Sequence, residues 1–319
     1  MADILLDVKH LKKYFPVGKD AQLHAVDDVT FTLERGKTLG VVGESGCGKS
    51  TMGRCVLRLI EPTDGEVWFD GQNICTLSKP KMRALRSQMQ IVIQDPFSSL
   101  DPRMSVSQAI MEAVKTGKVM PGASKQDLQK RVNELMDTVG LASRLANSYP
   151  HELDGGRRQR IGIARALAMN PKLIVCDEPV SALDVSIQAQ ILNLLEDLQH
   201  DMGLTYIFIT HDLSVVNHFS DDIIVMYLGQ IVEKASAVEL FANPLHPYTQ
   251  ALLSAIPIPA VREHKERILL KGELSSPINP PDECRFAKRC NYSCEKCSGG
   301  CPALKEVSPG HFVACHMVG

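Results

Sequence analysis

The chain has 319 residues, 44% of them hydrophobic and 23% charged, the balance of a globular protein with a sizeable core rather than a disordered chain. Lys and Arg number 35 against 37 Asp and Glu, a formal net charge of −2, which argues against a polycationic surface for wrapping nucleic acid. No apolar run approaches the ~18 residues of a membrane span, and the opening Met1-Ala2-Asp3-Ile4-Leu5-Leu6-Asp7 lacks the basic-then-apolar order of a secretory signal, so a cytosolic, reducing setting is expected.

At roughly 100–200 residues per domain, the length suggests two domains, or one large domain with an appendage. Residues 5–8 and 25–33 alternate apolar and polar side chains, with a turn at 34–37, and predict antiparallel strands. A compact apolar strand, Thr38-Leu39-Gly40-Val41-Val42, runs into a glycine-rich loop, and a helix is expected from about Ser50 to Leu59. Residues 65–71 predict a further strand between turns. From about Asp95 to Ala168 the spacing becomes helical, as in Leu128, Val132, Leu135, Met136 and Val139, with a break at Pro121-Gly122. Buried-strand runs return at 173–176, 206–210 and 223–227, and a helix over about 187–201 separates the first two.

Continuous apolar strands alternating with helices imply a parallel sheet covered on both faces. The expected fold is therefore α/β, with a mostly parallel sheet, antiparallel N-terminal strands and a helical block at about 95–168 inserted between two halves of the sheet domain. After about Phe241 the chain is rich in proline (Pro244, Pro247, Pro257, Pro259, Pro277, Pro280 and Pro281) and then in cysteine, which reads as a small appended domain. Six of the ten cysteines follow position 283: Cys284, Cys290, Cys294, Cys297, Cys301 and Cys315. In a reducing compartment such a cluster leans towards metal rather than a lasting disulfide framework.

Gly43-Glu44-Ser45-Gly46-Cys47-Gly48-Lys49-Ser50, followed by Thr51, fits G-x-x-x-x-G-K-[ST] between an expected strand and an expected helix. Its glycines let backbone N–H groups curl round phosphate oxygens, and the helix N-terminus adds positive potential. Lys49 is expected to reach the β- and γ-phosphates, and the Ser50 hydroxyl to ligate Mg²⁺. Downstream, the apolar run 173–176 ends in Asp177-Glu178. Asp177 suits Mg²⁺, directly or through water, and Glu178 is placed to polarise a water attacking the γ-phosphate.

Further segments turn this generic nucleotide hydrolase into a specific resemblance. Leu153-Asp154-Gly155-Gly156-Arg157-Arg158-Gln159 before an apolar helix resembles the signature sequence of ATP-binding cassette (ABC) ATPases. Gln94, before Asp95-Pro96, resembles their Q-loop, Ser181-Ala182-Leu183-Asp184 their D-loop, and His211 in Thr210-His211-Asp212 their switch histidine. Tyr14 is placed like the aromatic that stacks on adenine, with Phe15 as a competitor. The resemblance implies a P-loop cassette over 1–240 that binds ATP and Mg²⁺. Gln94 would join Ser50 and Asp177 as metal ligands, and Glu178, His211 and Lys49 would be the catalytic residues. Two such subunits are expected to enclose two ATP molecules head to tail, each phosphate loop facing the partner's signature (here Asp154, Gly155 and Gly156) and D-loop (here Asp184).

The C-terminal part narrows the resemblance. Asn243-Pro244-Leu245-His246-Pro247-Tyr248-Thr249 is similar to the His-Pro-Tyr region of oligopeptide and dipeptide importer ATPases, and 284–290 with 310–316 resemble their terminal cysteine box. The opening Leu11-Lys12-Lys13-Tyr14-Phe15-Pro16-Val17 looks more like the second of the two paired ATPase subunits. The expected function is ATP hydrolysis that energises peptide import, and the alternatives are a nickel or other solute importer and a non-transport ABC ATPase. Expected partners are a second ATPase subunit forming a heterodimer, two membrane-spanning permease subunits and an extracytoplasmic peptide-binding protein, with no nucleic acid. The expected location is peripheral, on the cytoplasmic face of the cell membrane. Residues 241–319 would form the importer-type regulatory, Cys-rich domain.

The same resemblance picks Cys284, Cys290, Cys297 and Cys315, spaced x5, x6 and x17, as thiolates for a [4Fe–4S] cluster, with Cys294 a rival ligand and zinc or unmetallated thiols as alternatives. Cys290, Cys294, Cys297 and Cys301 would line one helical face, but Gly299-Gly300 argues against a long helix there. One departure concerns the signature: the family's Ser is Asp154 here, and an ionised carboxylate cannot donate to a γ-phosphate. Either the pair has one active site, or Arg157 and Arg158 compensate; Asp154→Ser in the assembled transporter separates the two.

Overall fold

The computed structural model describes residues 3–256, 267–272 and 276–318, so Pro257 and Pro259 of the proline-rich stretch lie outside the described residues. The chain divides into two compact units, Met1–Thr76 with Phe208–Gly319, and Leu77–Ile207.

The first unit begins with β1 (Ile4–Val17) and β2 (Ala21–Glu34), an antiparallel pair as the alternation predicts. β3 (Thr38–Val42) is wholly buried and leads into α1 (Lys49–Val56). This helix stops short of the expected Leu59. Arg58 turns left-handed (φ 48°) and its guanidinium donates to the Ile74 carbonyl at 2.7 Å, so the chain leaves the helical path. β4 (Asp64–Phe69) and β5 (Gln72–Asn73) complete a four-stranded sheet in the order β2-β1-β4-β5.

The second unit opens with α2 (Lys79–Leu85) and β6 (Met89–Val92), a short strand that no sequence pattern separates from the helical stretch after it. Then come α3 (Pro96–Ser99), α4 (Val106–Gly117), α5 (Lys125–Thr138) and α6 (Gly155–Leu167). Ser105 and Ser124 each accept from a backbone N–H in the first turn of α4 and α5, with Gln108 and Asp127 reaching back as capping boxes. β7 (Leu173–Asp177) pairs parallel with β6, from Met89 opposite Leu173 to Val92 opposite Cys176. α7 (Val185–Met202) ends at Gly203, whose φ of 64° suits a left-handed helix stop.

β8 (Thr205–Ile209) carries the chain back into the first unit. α8 (Leu213–Phe219), β9 (Asp222–Tyr227), β10 (Gln230–Ser236), α9 (Ala237–Ala242) and α10 (Pro247–Ser254) follow. β9 runs parallel to β3, and β10 antiparallel to β9. The tail contributes a hairpin, β11 (Lys305–Ser308) and β12 (His311–Val313), whose second strand pairs antiparallel with β10.

The described residues after position 241 thus belong to the first unit. A buried carboxylate anchors them. Glu233 on β10, with no solvent exposure, accepts from the backbone N–H groups of Leu245 (2.7 Å) and His246 (3.0 Å) and from His311 Nε2 (2.8 Å). A buried charge is tolerable when hydrogen-bonded on several sides, and here one group ties α10 and β12 to the sheet. Tyr248 and Phe286 from the tail join Val42, Val225 and Tyr227 in one apolar cluster.

Candidate nucleotide-binding site

In the first unit, β3 delivers the chain into the phosphate loop. Gly43 has φ 149° and a Cβ there would lie 2.2 Å from the Met226 carbonyl oxygen, while Gly48 has φ 106° and a Cβ would lie 2.0 Å from that of Ala25. No other residue fits either position, so both glycines of the motif are sterically required. Gly48 caps α1, whose first residue, Lys49, is 4% exposed. Its ammonium donates to the carbonyls of Gly43 (2.7 Å) and Glu44 (2.9 Å), which holds the cation over the loop. Burial raises the Cys47 thiol's pKa, so this loop cysteine stays a neutral packing residue. Ser50 and Thr51 follow in the first turn of α1.

Tyr14 on β1 stacks on His24 of β2, with ring centroids 3.9 Å apart and planes 22° from parallel, and its hydroxyl donates to Asp27. Burial opposes ionisation of Asp27, but hydrogen bonds from Tyr14 and His24 and the charge of Arg285 outweigh it and hold its pKa below the usual range. The same burial and the neighbouring carboxylate raise the Tyr14 pKa, so its hydroxyl remains a donor. His211 follows β8 and is exposed; the Asp212 side chain after it accepts from Ser214 N–H and caps α8.

In the second unit, Asp177 ends β7 and is 4% exposed. Glu178 is left-handed (φ 51°), an uncommon conformation for a side chain of this size and one that concentrates at functional positions. Its Oε2 accepts from Gln94 Nε2 at 2.9 Å, and the same amide reaches Ser181 Oγ at 3.3 Å. Ser181 Oγ also donates to the Glu178 carbonyl at 3.2 Å. Gln94, Glu178 and Ser181 therefore form one network.

Asp154 caps α6, accepting from Arg157 N–H at 2.7 Å, with the Arg157 guanidinium 3.3 Å from its second oxygen. Its charge thus has a local partner and a local structural use. A Cβ on Gly156 would lie 2.5 Å from Ile187, so the signature glycine permits close approach to the start of α7. Asp184 stands at the N-cap position of α7 and is exposed.

Among the described residues no group of three or more His, Cys, Asp or Glu side chains is arranged to hold a metal ion. All ten cysteines are free thiols. Cys294 Sγ lies 3.8 Å from Cys297 Sγ, the Cys284 N–H donates to the Cys297 carbonyl at 2.9 Å, and Cys301 turns aside to Gln230 Oε1 at 3.2 Å. Burial pushes the Cys284 thiol up to about 11. Only a short 3₁₀ turn, Glu295–Ser298, forms among the four cysteines of the i, i+4, i+7, i+11 pattern, in line with the Gly299-Gly300 break.

Sequence reasoning did not single out Asp27, Arg285, Arg289 or the anchoring role of Tyr248. The two arginines lie between Cys284 and Cys290, and Tyr248 lies in the His-Pro-Tyr segment, so the signal was position beside those motifs.

Residues 26–181 match the ABC transporter family, and residues 232–297 match the oligopeptide/dipeptide transporter C-terminal region. The chain is 51% identical over 324 residues to the oligopeptide transport ATP-binding protein AppF of Bacillus subtilis, covering 99% of this chain and 98% of that one. It is 50% identical over 325 residues to the oligopeptide transport ATP-binding protein OppF of Salmonella typhimurium, covering 99% and 96%. Among solved structures, the dimeric ATP-binding cassette MJ0796 in a post-hydrolysis state with ADP and phosphate is similar at a TM-score of 0.66 and 30% identity, covering 73% of this chain and 98% of that one.

Proposed function

The chain belongs to the ATP-binding cassette transporter family, and from that premise we propose that it is the ATP-hydrolysing subunit that energises import of oligopeptides. The observation that carries this reading is identity of about half along nearly the whole chain to oligopeptide transport ATP-binding proteins, C-terminal region included. Such a subunit works with membrane permeases, and no helix among the described residues is long and apolar enough to cross a membrane. We read it as peripheral on the cytoplasmic face, paired with a second, related ATPase subunit and supplied by an extracytoplasmic peptide-binding protein. Uptake of labelled peptide by vesicles carrying the assembled transporter tests the reading.

In this reading the loop amides from Gly43 to Thr51 cradle the phosphates and Lys49 neutralises them. Tyr14 stacks on adenine, and Asp154, Gly155, Gly156 and Asp184 face the nucleotide of the partner cassette. Mg²⁺ in such sites takes one or two protein oxygens plus phosphates and waters rather than an all-protein cage, and Asp177, Ser50 and Gln94 are the residues that would hold it. When bound, it would offset the negative charge of the phosphates. Glu178 takes a proton from the attacking water while Gln94 orients its carboxylate, and His211 contacts the γ-phosphate.

We further read Cys284, Cys290, Cys297 and Cys315, with Cys294 as rival, as the ligands of a [4Fe–4S] cluster. Four cysteine thiolates are the usual ligand set of such a cluster, and bound there it would staple the tail. Protein purified without oxygen is expected to be brown, with iron and sulfide in equal amounts. Colourless protein carrying zinc would overturn the cluster.

A further inference from the structure

Arg289, next to Cys290 in the cysteine box, donates from both terminal nitrogens to the carboxylate of Glu44, at 2.7 and 3.0 Å. The arginine side chain is 11% exposed, so this is a sheltered, two-point contact rather than a surface ion pair. Glu44 is the second residue of the phosphate loop. Its backbone N–H donates to the Tyr248 hydroxyl at 2.9 Å, and its carbonyl accepts from Lys49 Nζ. One loop residue is therefore gripped by the C-terminal region at its side chain and its amide, and its remaining backbone group holds the phosphate-binding lysine. The turn that carries Arg289 is itself fixed: Phe286 is buried with its ring 5.5 Å from that of Tyr248, and Arg285 donates to Asp27 and to the Leu228 carbonyl.

We propose that Arg289 is a positioning residue for the phosphate loop, through which the cysteine-bearing C-terminal segment sets the affinity of this cassette for ATP. The pair fixes the Glu44 peptide, the Glu44 carbonyl fixes the Lys49 ammonium, and the ammonium meets the phosphates. Without Arg289, Glu44 keeps an uncompensated carboxylate in the loop that must accept a polyanion. That raises the cost of binding ATP and leaves Glu178, the base, with its own hydrogen bonds.

The inference rests on the reading of 43–51 as the phosphate loop, and titration of the full chain with a fluorescent ATP analogue and Mg²⁺ separates the two. If the wild-type chain fails to bind the analogue, that reading fails. With binding established, Arg289→Gln is expected to weaken affinity about tenfold and raise the KM for ATP to match, with kcat at saturating ATP within about twofold. Arg289→Lys, which keeps the charge but loses the fork, is expected to fall between. Glu44→Gln removes the pair together with the carboxylate charge, so it isolates the positioning effect, is expected to weaken affinity by less than Arg289→Gln, and serves if the arginine variant does not fold. The double variant is expected to bind no more weakly than the weaker single one. Affinities within twofold of wild type in both single variants, or fully additive losses, would overturn the proposal.

Discussion

Replacing Glu178 by Gln is expected to lower ATP hydrolysis by about 10³-fold while leaving affinity for ATP within about twofold, as measured by phosphate release and by nucleotide titration. The substitution keeps the shape of the side chain and removes its ability to take a proton from water. The surroundings make the expectation specific. Glu178 sits just past a fully buried strand, in a left-handed backbone conformation, with its carboxylate held by Gln94 and its carbonyl by Ser181. The substitution leaves Lys49 and the loop amides in place, so loss of proton transfer is expected in kcat. A variant that hydrolyses ATP at more than a tenth of the wild-type rate would assign the base elsewhere.

Lys49→Ala is expected to weaken ATP binding about 100-fold, the scale of losing charge-assisted hydrogen bonds from a sheltered cation to an anion. Lys49 is 4% exposed and already held by two loop carbonyls, so its charge is concentrated over the loop rather than screened by water. Truncation also leaves the Gly43 and Glu44 carbonyls without that donor, which loosens the loop itself. The check is titration of the variant with the same fluorescent nucleotide, and a loss below about fivefold would contradict the role.

The two variants probe parts of the molecule that differ in how openly the sequence declares them. The phosphate loop is legible because its rule is local: Gly43 and Gly48 occupy positions where a Cβ would strike a neighbouring carbonyl, and the glycine spacing states that constraint directly. Strands β3, β7, β8 and β9 are legible because buried parallel strands are continuous apolar runs. β6 escaped because four residues, two buried and two half-buried, carry too little pattern to stand apart from neighbouring helices.

What the sequence conceals is non-local. Arg289 and Glu44 are 245 residues apart, and His311 and Glu233 are 78 apart, so neither pairing leaves a periodicity. The tail's proline and cysteine content suggested an appendage, whereas Tyr248, Phe286 and β12 pack into the first unit. The left-handed backbone at Glu178 is likewise invisible in composition, since nothing about a glutamate advertises a conformation favoured by glycine. Asp154 is the intermediate case. Its departure from the signature is plain in the sequence, but its capping of α6 and its pairing with Arg157 emerge only in three dimensions.

The central claim is that ATP hydrolysis by this chain drives peptide inward. The most direct measurement loads vesicles with ATP on the side of this subunit, supplies a peptide-binding protein and labelled oligopeptide on the other, and follows accumulation against a concentration gradient. Accumulation is expected to require ATP and to be abolished when Glu178→Gln replaces the wild-type subunit. ATP-dependent accumulation that persists with Glu178→Gln, or ATP hydrolysis by the assembled transporter that moves no peptide, would contradict it.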